Sequence, residues 1–195
     1  MKSIKYLLPF YTTFSKLISV KYPISYFDYI KWKLFDKKIY WLKEKNCQVN
    51  HPRRIYVGIN SNIGRPGNYI QGAGEIHIGN YVRVATNVGL LSSNHDLYDQ
   101  NQSHDKTIKI GDYSWIGMNS IITAGVELGP RTIVGAGSVV TKSFPDGFCV
   151  VAGNPAKMVK LLDKDKFVPW HYKFEFYGLI PKDKFEKLRA KYLDI

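Results

Sequence analysis

His95 and His104 stand in a polar stretch, Ser92-Ser93-Asn94-His95-Asp96 followed by residues 100–106, with apolar sequence on either side. An imidazole with an ordinary pKa near ~6.5 can take up a proton at neutral pH, which is what a general base must do. Asp96 could orient such a ring through its second nitrogen, although neighbours in sequence seldom face each other in that way. A loop histidine is otherwise a solvated side chain. Three imidazoles can also converge on zinc, and His77, His95 and His104 are the candidates. No serine or cysteine forms a convincing nucleophilic triad. Lys142, Lys157 and Lys160 could meet phosphate, yet each lysine alone is an ordinary solvated charge, and no glycine-rich phosphate loop accompanies them.

The sequence around this stretch repeats every six residues. Ile110, Ile116, Ile122, Leu128, Val134 and Val140 form the series, and Gly111, Gly117, Thr123, Gly129, Gly135 and Thr141 follow them. Ser114, Ser120, Val126, Thr132 and Ser138 come four residues after the first five. A period of six belongs to neither a helix nor an ordinary sheet. It marks a short strand and a corner, stacked into a parallel β-helix. The aliphatic residue points inward, and so does the residue two before it, which must be small because it lies near a corner. Corners favour positive φ, so Gly125, Gly137 and Asn119 are expected there. Ile78, Val84 and Leu90 extend the series upstream, and residues 55–76 read as opening coils with a small insertion. The repeat stops at Leu91 and resumes after Lys109, so 91–109 reads as a loop on a rigid scaffold, where function is commonly carried.

Three segments follow: residues 1–50 as a basic, aromatic, helical flank, 51–160 as the β-helix, and 161–195 as an extension ending in a short helix. The net charge of +12 is uneven, with ten lysines against three acidic residues in 1–45 and eight basic against seven acidic in 46–156. The flank suits a helical cap with a solvated lysine face, and equally peripheral contact with an anionic membrane. Nucleic acid is not expected, because no recognisable binding motif accompanies the charge. Cys47 and Cys149 are too few and too far apart for a disulfide framework, so the cytosol is the default compartment, extending to the inner face of the cell membrane. No apolar run reaches the length of a membrane span, and residues 12–16 break the N-terminal apolar patch too early for a signal peptide. Beyond Pro181, Phe185, Leu188 and Tyr192 form the packing stripe of the last helix.

These motifs resemble the hexapeptide-repeat acyltransferases, of the sugar O-acetyltransferase type. The matching residues are Ile78-Gly79-Asn80, Asn87-Val88, Asn94-His95, Ile110-Gly111-Asp112-Tyr113-Ser114-Trp115-Ile116-Gly117, residues 135–142, and Ala152-Gly153-Asn154-Pro155-Ala156-Lys157. The resemblance implies a left-handed β-helix, a homotrimer with active sites between neighbours, acetyl-CoA as acyl donor, and no metal. It implies His95 as the general base for direct attack of a saccharide hydroxyl on the thioester. It places Trp115, Gly117, Ala136, Gly137, Thr141, Lys142, Lys157 and Lys160 along the donor. Asn87, Asn94, Asp96 and His104 are the candidates for the acceptor side, Asn87 and Asn94 reading otherwise as corner residues and His104 as an exposed side chain. A surface polysaccharide or its precursor fits the basic flank. The flank does not match the short helical N-terminus of maltose and galactoside enzymes, so their acceptors are not carried over. An N-acyltransferase on an amino sugar, a γ-type carbonic anhydrase and a non-catalytic scaffold are the alternatives on this fold. The paired histidines of the carbonic anhydrases, five apart on one coil, are missing.

Overall fold

The computed structural model describes residues 4–20, 24–35 and 38–195, the first seven by their backbone. Its body is a three-sided parallel β-solenoid. The first face stacks strands Gln48–Asn50, Tyr69–Gln71, Gly89–Leu91, Ile121–Ile122 and Val139–Val140. The second stacks Ile55–Val57, Ile76–Ile78, Ile108–Ile110 and Glu127–Leu128. The third stacks Arg83–Val84, Trp115–Ile116, Ile133–Val134 and Cys149–Gly153, and Ala156–Leu161 closes it antiparallel.

The register follows the hexads. Ile110 pairs with Leu128, Ile116 with Val134 and Ile122 with Val140, each 18 residues on. The inward aliphatic residues are fully enclosed, Ile116, Ile122 and Val140 having 0% exposure. Ser114, Ser120, Val126, Thr132 and Ser138 are buried too. The four hydroxyls among them are used. Ser114 Oγ donates to Gly129 O at 3.3 Å and Ser120 Oγ to Gly135 O at 3.0 Å, tying each coil to the next. In the opening coils Val49 pairs with Ile70 and Val57 with Ile78, both 21 residues on, which is the insertion expected there.

Three corners separate the faces. The first-to-second corner carries the 91–109 excursion and is called the arm corner below. The second-to-third corner holds Asn60, Tyr81, Tyr113, Arg131 and Phe148, all with positive φ. The third-to-first corner holds Asn87, Asn119 and Gly137, again with positive φ; it follows the third-face strand that begins at Trp115 and is called the tryptophan corner. Gly125, Gly137 and Asn119 thus adopt the expected left-handed backbone. The bulky tyrosines, arginine and phenylalanine of the second-to-third corner were not foreseen in that conformation.

Those bulky residues are held by the C-terminal chain, which returns along this corner as a strap. Leu162 N bonds Phe148 O in the last coil, and Trp170 sits edge-on to Tyr113 at 4.8 Å. Tyr113 stacks on Tyr81 at 5.0 Å, and Arg83 and Arg131 lie over the Trp170 ring. Phe176 N then bonds Asn60 Oδ1 near the first coil. The chain ends in a helix, Lys182–Tyr192, that buries Phe185 and Tyr192 beside Tyr40.

At the same end, helices α1 (Ile4–Ser19) and α2 (Tyr26–Phe35) pack through Phe14, Leu17, Tyr29 and Trp32, and Trp32 Nε1 donates to Ile39 O. Tyr40 and Trp41 are buried there, and Tyr40 Oη bonds both backbone groups of Val57. The flank therefore forms a floor under the first coil. Among the described residues, no helix is long and apolar enough to cross a membrane. Both cysteines are free and buried.

Candidate active site

The excursion between Leu91 and Ile108 is a β-hairpin arm rather than an irregular loop. Strands Ser93–His95 and Ser103–Asp105 run antiparallel, pairing Asn94 with His104 and His95 with Ser103. The arm is anchored at its root, where Lys106 N bonds Ser92 O. Ser92 Oγ in turn donates to Gln71 O at 2.6 Å and accepts from Gly74 N at 2.9 Å.

His95 is exposed near the arm's turn, with Nδ1 2.8 Å from the carbonyl oxygen of Gln100. A carbonyl only accepts, so Nδ1 must carry the hydrogen. In the neutral ring, Nε2 then keeps its lone pair, and it has no partner in the described chain. Gln100 was not foreseen as a functional residue. Its contribution is a backbone carbonyl, which side-chain chemistry cannot announce.

Asp96 faces His104 rather than His95, at 2.8 Å from Nε2. Its other oxygen accepts from the amides of Tyr98 (2.8 Å) and Asp99 (3.0 Å). The His104 bond, and then these two amides, pull its carboxyl down to about 2. Asp96 is therefore occupied in shaping the turn that presents His95. Asn94 and His104 flank it on the arm, both exposed.

The predicted donor residues separate into groups. Thr141 and Lys142 are exposed at the arm corner, above the root of the hairpin. Gly117, Ala136 and Gly137 belong to the tryptophan corner, with Asn87 in the coil below, and Trp115 lies on the third face between Arg83 and Ile133. Trp115 is 53% exposed and has no ring contact among the described residues. Gly117 and Gly137 differ in their reasons for being glycine. A Cβ on Gly117 would lie 2.6 Å from Ala136 N and 2.7 Å from Val134 O, so stacking alone requires it. A Cβ on Gly137 would meet nothing within 4 Å, leaving an open shelf beside exposed Ala136.

Lys157 and Lys160 lie exposed on the closing antiparallel strand. Lys160 helps line a cavity of about 290 Å³ with Arg131, Phe167, Lys166 and Asp163, the last two paired at 3.4 Å. Arg131 and Lys166 are additions that sequence reasoning missed, since nothing in their local spacing links them to Lys160. The zinc candidates are not brought together. His77 lies on the second face and bonds Glu75, while His95 and His104 are on the arm with other partners. Among the described residues no cluster of three His, Cys, Asp or Glu could hold a metal ion.

A three-faced coil with a histidine-bearing arm and an exposed tryptophan one corner away defines a class. The family model described as bacterial transferase hexapeptide (six repeats) matches residues 107–142. The galactoside O-acetyltransferase of Escherichia coli K12 is 32% identical over 151 residues, covering 72% of each chain. A maltose O-acetyltransferase structure from Clostridium difficile 630 superposes with a TM-score of 0.58 at 24% identity, covering 83% of this chain and 88% of that one. A galactoside acetyltransferase structure in complex with coenzyme A gives 0.57 at 23% identity, covering 86% of each. At these identities the two structures speak to the fold, the left-handed parallel β-helix. The chain belongs to the hexapeptide-repeat acetyltransferases and is an acyltransferase.

Proposed function

We propose that this protein transfers an acetyl group from acetyl-CoA to a hydroxyl of a saccharide, a surface polysaccharide or its precursor, with His95 as general base. The observation that carries this is the Nδ1 bond from His95 to the Gln100 carbonyl, which leaves Nε2 as the acceptor of a proton. The acceptor hydroxyl would lose its proton to Nε2 as its oxygen bonds the thioester carbon. Collapse of the tetrahedral oxyanion would break the C–S bond, and the imidazolium would return the proton to the departing thiolate. No covalent enzyme intermediate is required.

The separation of the arm and tryptophan corners favours a homotrimer. One protomer offers His95 from one corner and Trp115, with the Gly137 shelf, from another. Prisms packed side by side about a threefold axis bring the arm of one copy to the tryptophan corner of the next. The thin pantetheine chain would lie over Ala136 and Gly137. Lys157 and Lys160, joined by Arg131 and Lys166, and Thr141 and Lys142 at the arm corner of the adjoining copy, supply the charge and donors that phosphates need. Asn94 and His104 are placed for the acceptor, with Asp96 acting through the turn and Asn87 at the neighbouring corner. The coenzyme A held by the galactoside acetyltransferase structure supports this donor. The basic flank favours an acceptor presented at the inner face of the cell membrane.

The test is His95→Ala, assayed by mass spectrometry of acetyl transfer across a panel of glycan precursors, with coenzyme A binding measured in parallel. Turnover should fall about 10²–10⁴-fold while coenzyme A binding persists. Full residual turnover would remove His95 from the chemistry.

A further inference from the structure

Helix α2 is apolar on two opposite sides. One side buries Tyr29 and Trp32 in the floor of the solenoid, with Tyr26 and Ile30 packed beside them. The other carries Phe27, Leu34 and Phe35, spaced i, i+7 and i+8 and therefore aligned as one stripe, with Lys31 between them. Phe27 and Phe35 are each 77% exposed and Leu34 is 54% exposed. A helix on the surface of a soluble protein ordinarily turns a polar face to water. Tyr11 and Ile18 of α1, seven residues apart, are exposed as well.

The surroundings of the stripe are cationic. A cavity of about 680 Å³ opens between α2 and residues 38–45, and Lys31, Lys38, Lys43 and Lys45 line it together with Phe35 and Trp41, against two carboxylates, Asp28 and Glu44, the second of which is paired with Arg65. The indole Nε1 of Trp41 is buried there without a hydrogen-bond partner among the described residues. Residues 1–45 carry ten lysines against three acidic residues, so a second copy of the same flank would bring like charge to like. An apolar stripe ringed by lysines matches a partner that is apolar inside and anionic at its surface.

We propose that α2 docks on an anionic phospholipid bilayer. Phe27, Leu34 and Phe35 enter the boundary between headgroups and acyl chains, and Lys31, Lys43 and Lys45 meet the phosphates. The helix lies in the plane of the interface, as amphipathic surface helices do, while the solenoid, nearly neutral in charge, stands away from it. This deepens the membrane-face acceptor proposed above and rests on that reading only for its purpose. Docking is read without any acetyl transfer, so either idea can fail alone.

The experiment is co-sedimentation of the full chain with vesicles of phosphatidylcholine alone or containing phosphatidylglycerol, at low and high salt. The wild-type chain should bind the anionic vesicles at least about tenfold more tightly, since each lysine near such a surface contributes roughly fivefold, and high salt should weaken binding. Phe27→Ser with Phe35→Ser should reduce binding to anionic vesicles by about tenfold or more. Lys31→Gln with Lys43→Gln and Lys45→Gln should remove the preference for phosphatidylglycerol. Circular dichroism and acetyl transfer to a soluble acceptor should match wild type in both variants. Equal binding to both vesicle types, or binding unchanged by the phenylalanine substitutions, would overturn the proposal. A fall in oligomeric state caused by those substitutions would assign the stripe to a second copy and overturn it too.

Discussion

Replacing Gly117 with alanine places a methyl carbon 2.6 Å from Ala136 N, 2.7 Å from Val134 O and 2.9 Å from the Gly135 carbonyl carbon. All three are backbone atoms of the next coil, so no side chain can swing aside. Ordinary contact begins near ~3.5 Å, so the coils must part by the better part of an ångström. Overpacking of this kind costs about 1–3 kcal/mol. In a chain of this length each kcal/mol lowers the melting midpoint by about 2–4 °C, so a fall of roughly 2–12 °C is expected. Gly137→Ala is the contrasting change. Its Cβ meets nothing within 4 Å, and the cost is that of a left-handed residue with a side chain, φ being 70°, about 1–2 kcal/mol. The methyl would, however, stand on the shelf proposed for pantetheine. Differential scanning fluorimetry and steady-state kinetics on both variants separate the two roles. Both should lower the midpoint in the absence of any donor, but only Gly137→Ala should also raise the KM for acetyl-CoA. A Gly117→Ala chain with an unchanged midpoint and a raised donor KM would refute the reasoning that stacking dictates this glycine.

Other outcomes follow from the arm and the core. Asp96→Ala removes the His104 bond and both amide caps and should lower turnover about tenfold by loosening His95. Asp96→Asn keeps an oxygen for the amides and should lose less than about threefold, as kcat measurements on both will tell. The depressed Asp96 carboxyl gives stability that is full above its unfolded pKa, near ~4, and is lost as pH falls toward about 2. Asp96 therefore does not titrate between pH 5 and 8, and the pH–rate profile of Asp96→Asn should keep the wild-type shape there. Ile122→Ala, in a fully buried position between Leu90 and Val140, should cost about 2–5 kcal/mol in chemical denaturation.

The solenoid was legible because stacking leaves a strict signature: an enclosed aliphatic residue every sixth position and a hydroxyl or small residue between. Its corners were legible where the residue was glycine or asparagine. They were not where it was Tyr81, Tyr113, Arg131 or Phe148. There the side chains meet Phe167 and Trp170, the rings edge-on and Arg131 over the ring faces, and those contacts span residues distant in sequence. The arm reads as a loop in the sequence because Ser93, Asn94, His95, Ser103, His104 and Asp105 have low strand propensity and no apolar alternation. Its pairing is set by its roots on the coil, through Ser92 and Lys106. His95 stands out as a chemical group, but its tautomer depends on a carbonyl, and the residues proposed for the donor belong to other parts of the coil. The final helix was visible in its stripe, Phe185 to Tyr192, whereas the route of 163–177 back down the prism has no periodicity to betray it.

That return route changes how the molecule must come apart. In a plain stack each unit touches only its neighbours, so the outermost rung can peel off without disturbing the middle. Here one ribbon is fastened to the top rung at Phe148, to the middle at Tyr113 and to the bottom at Asn60, Tyr40 and Arg53. Neither end can fray without breaking its own share of the ribbon's contacts. The nascent chain meets the same constraint in reverse: its earliest rungs emerge from the ribosome long before the residues that clamp them, and they wait, unfastened, until the last helix is made.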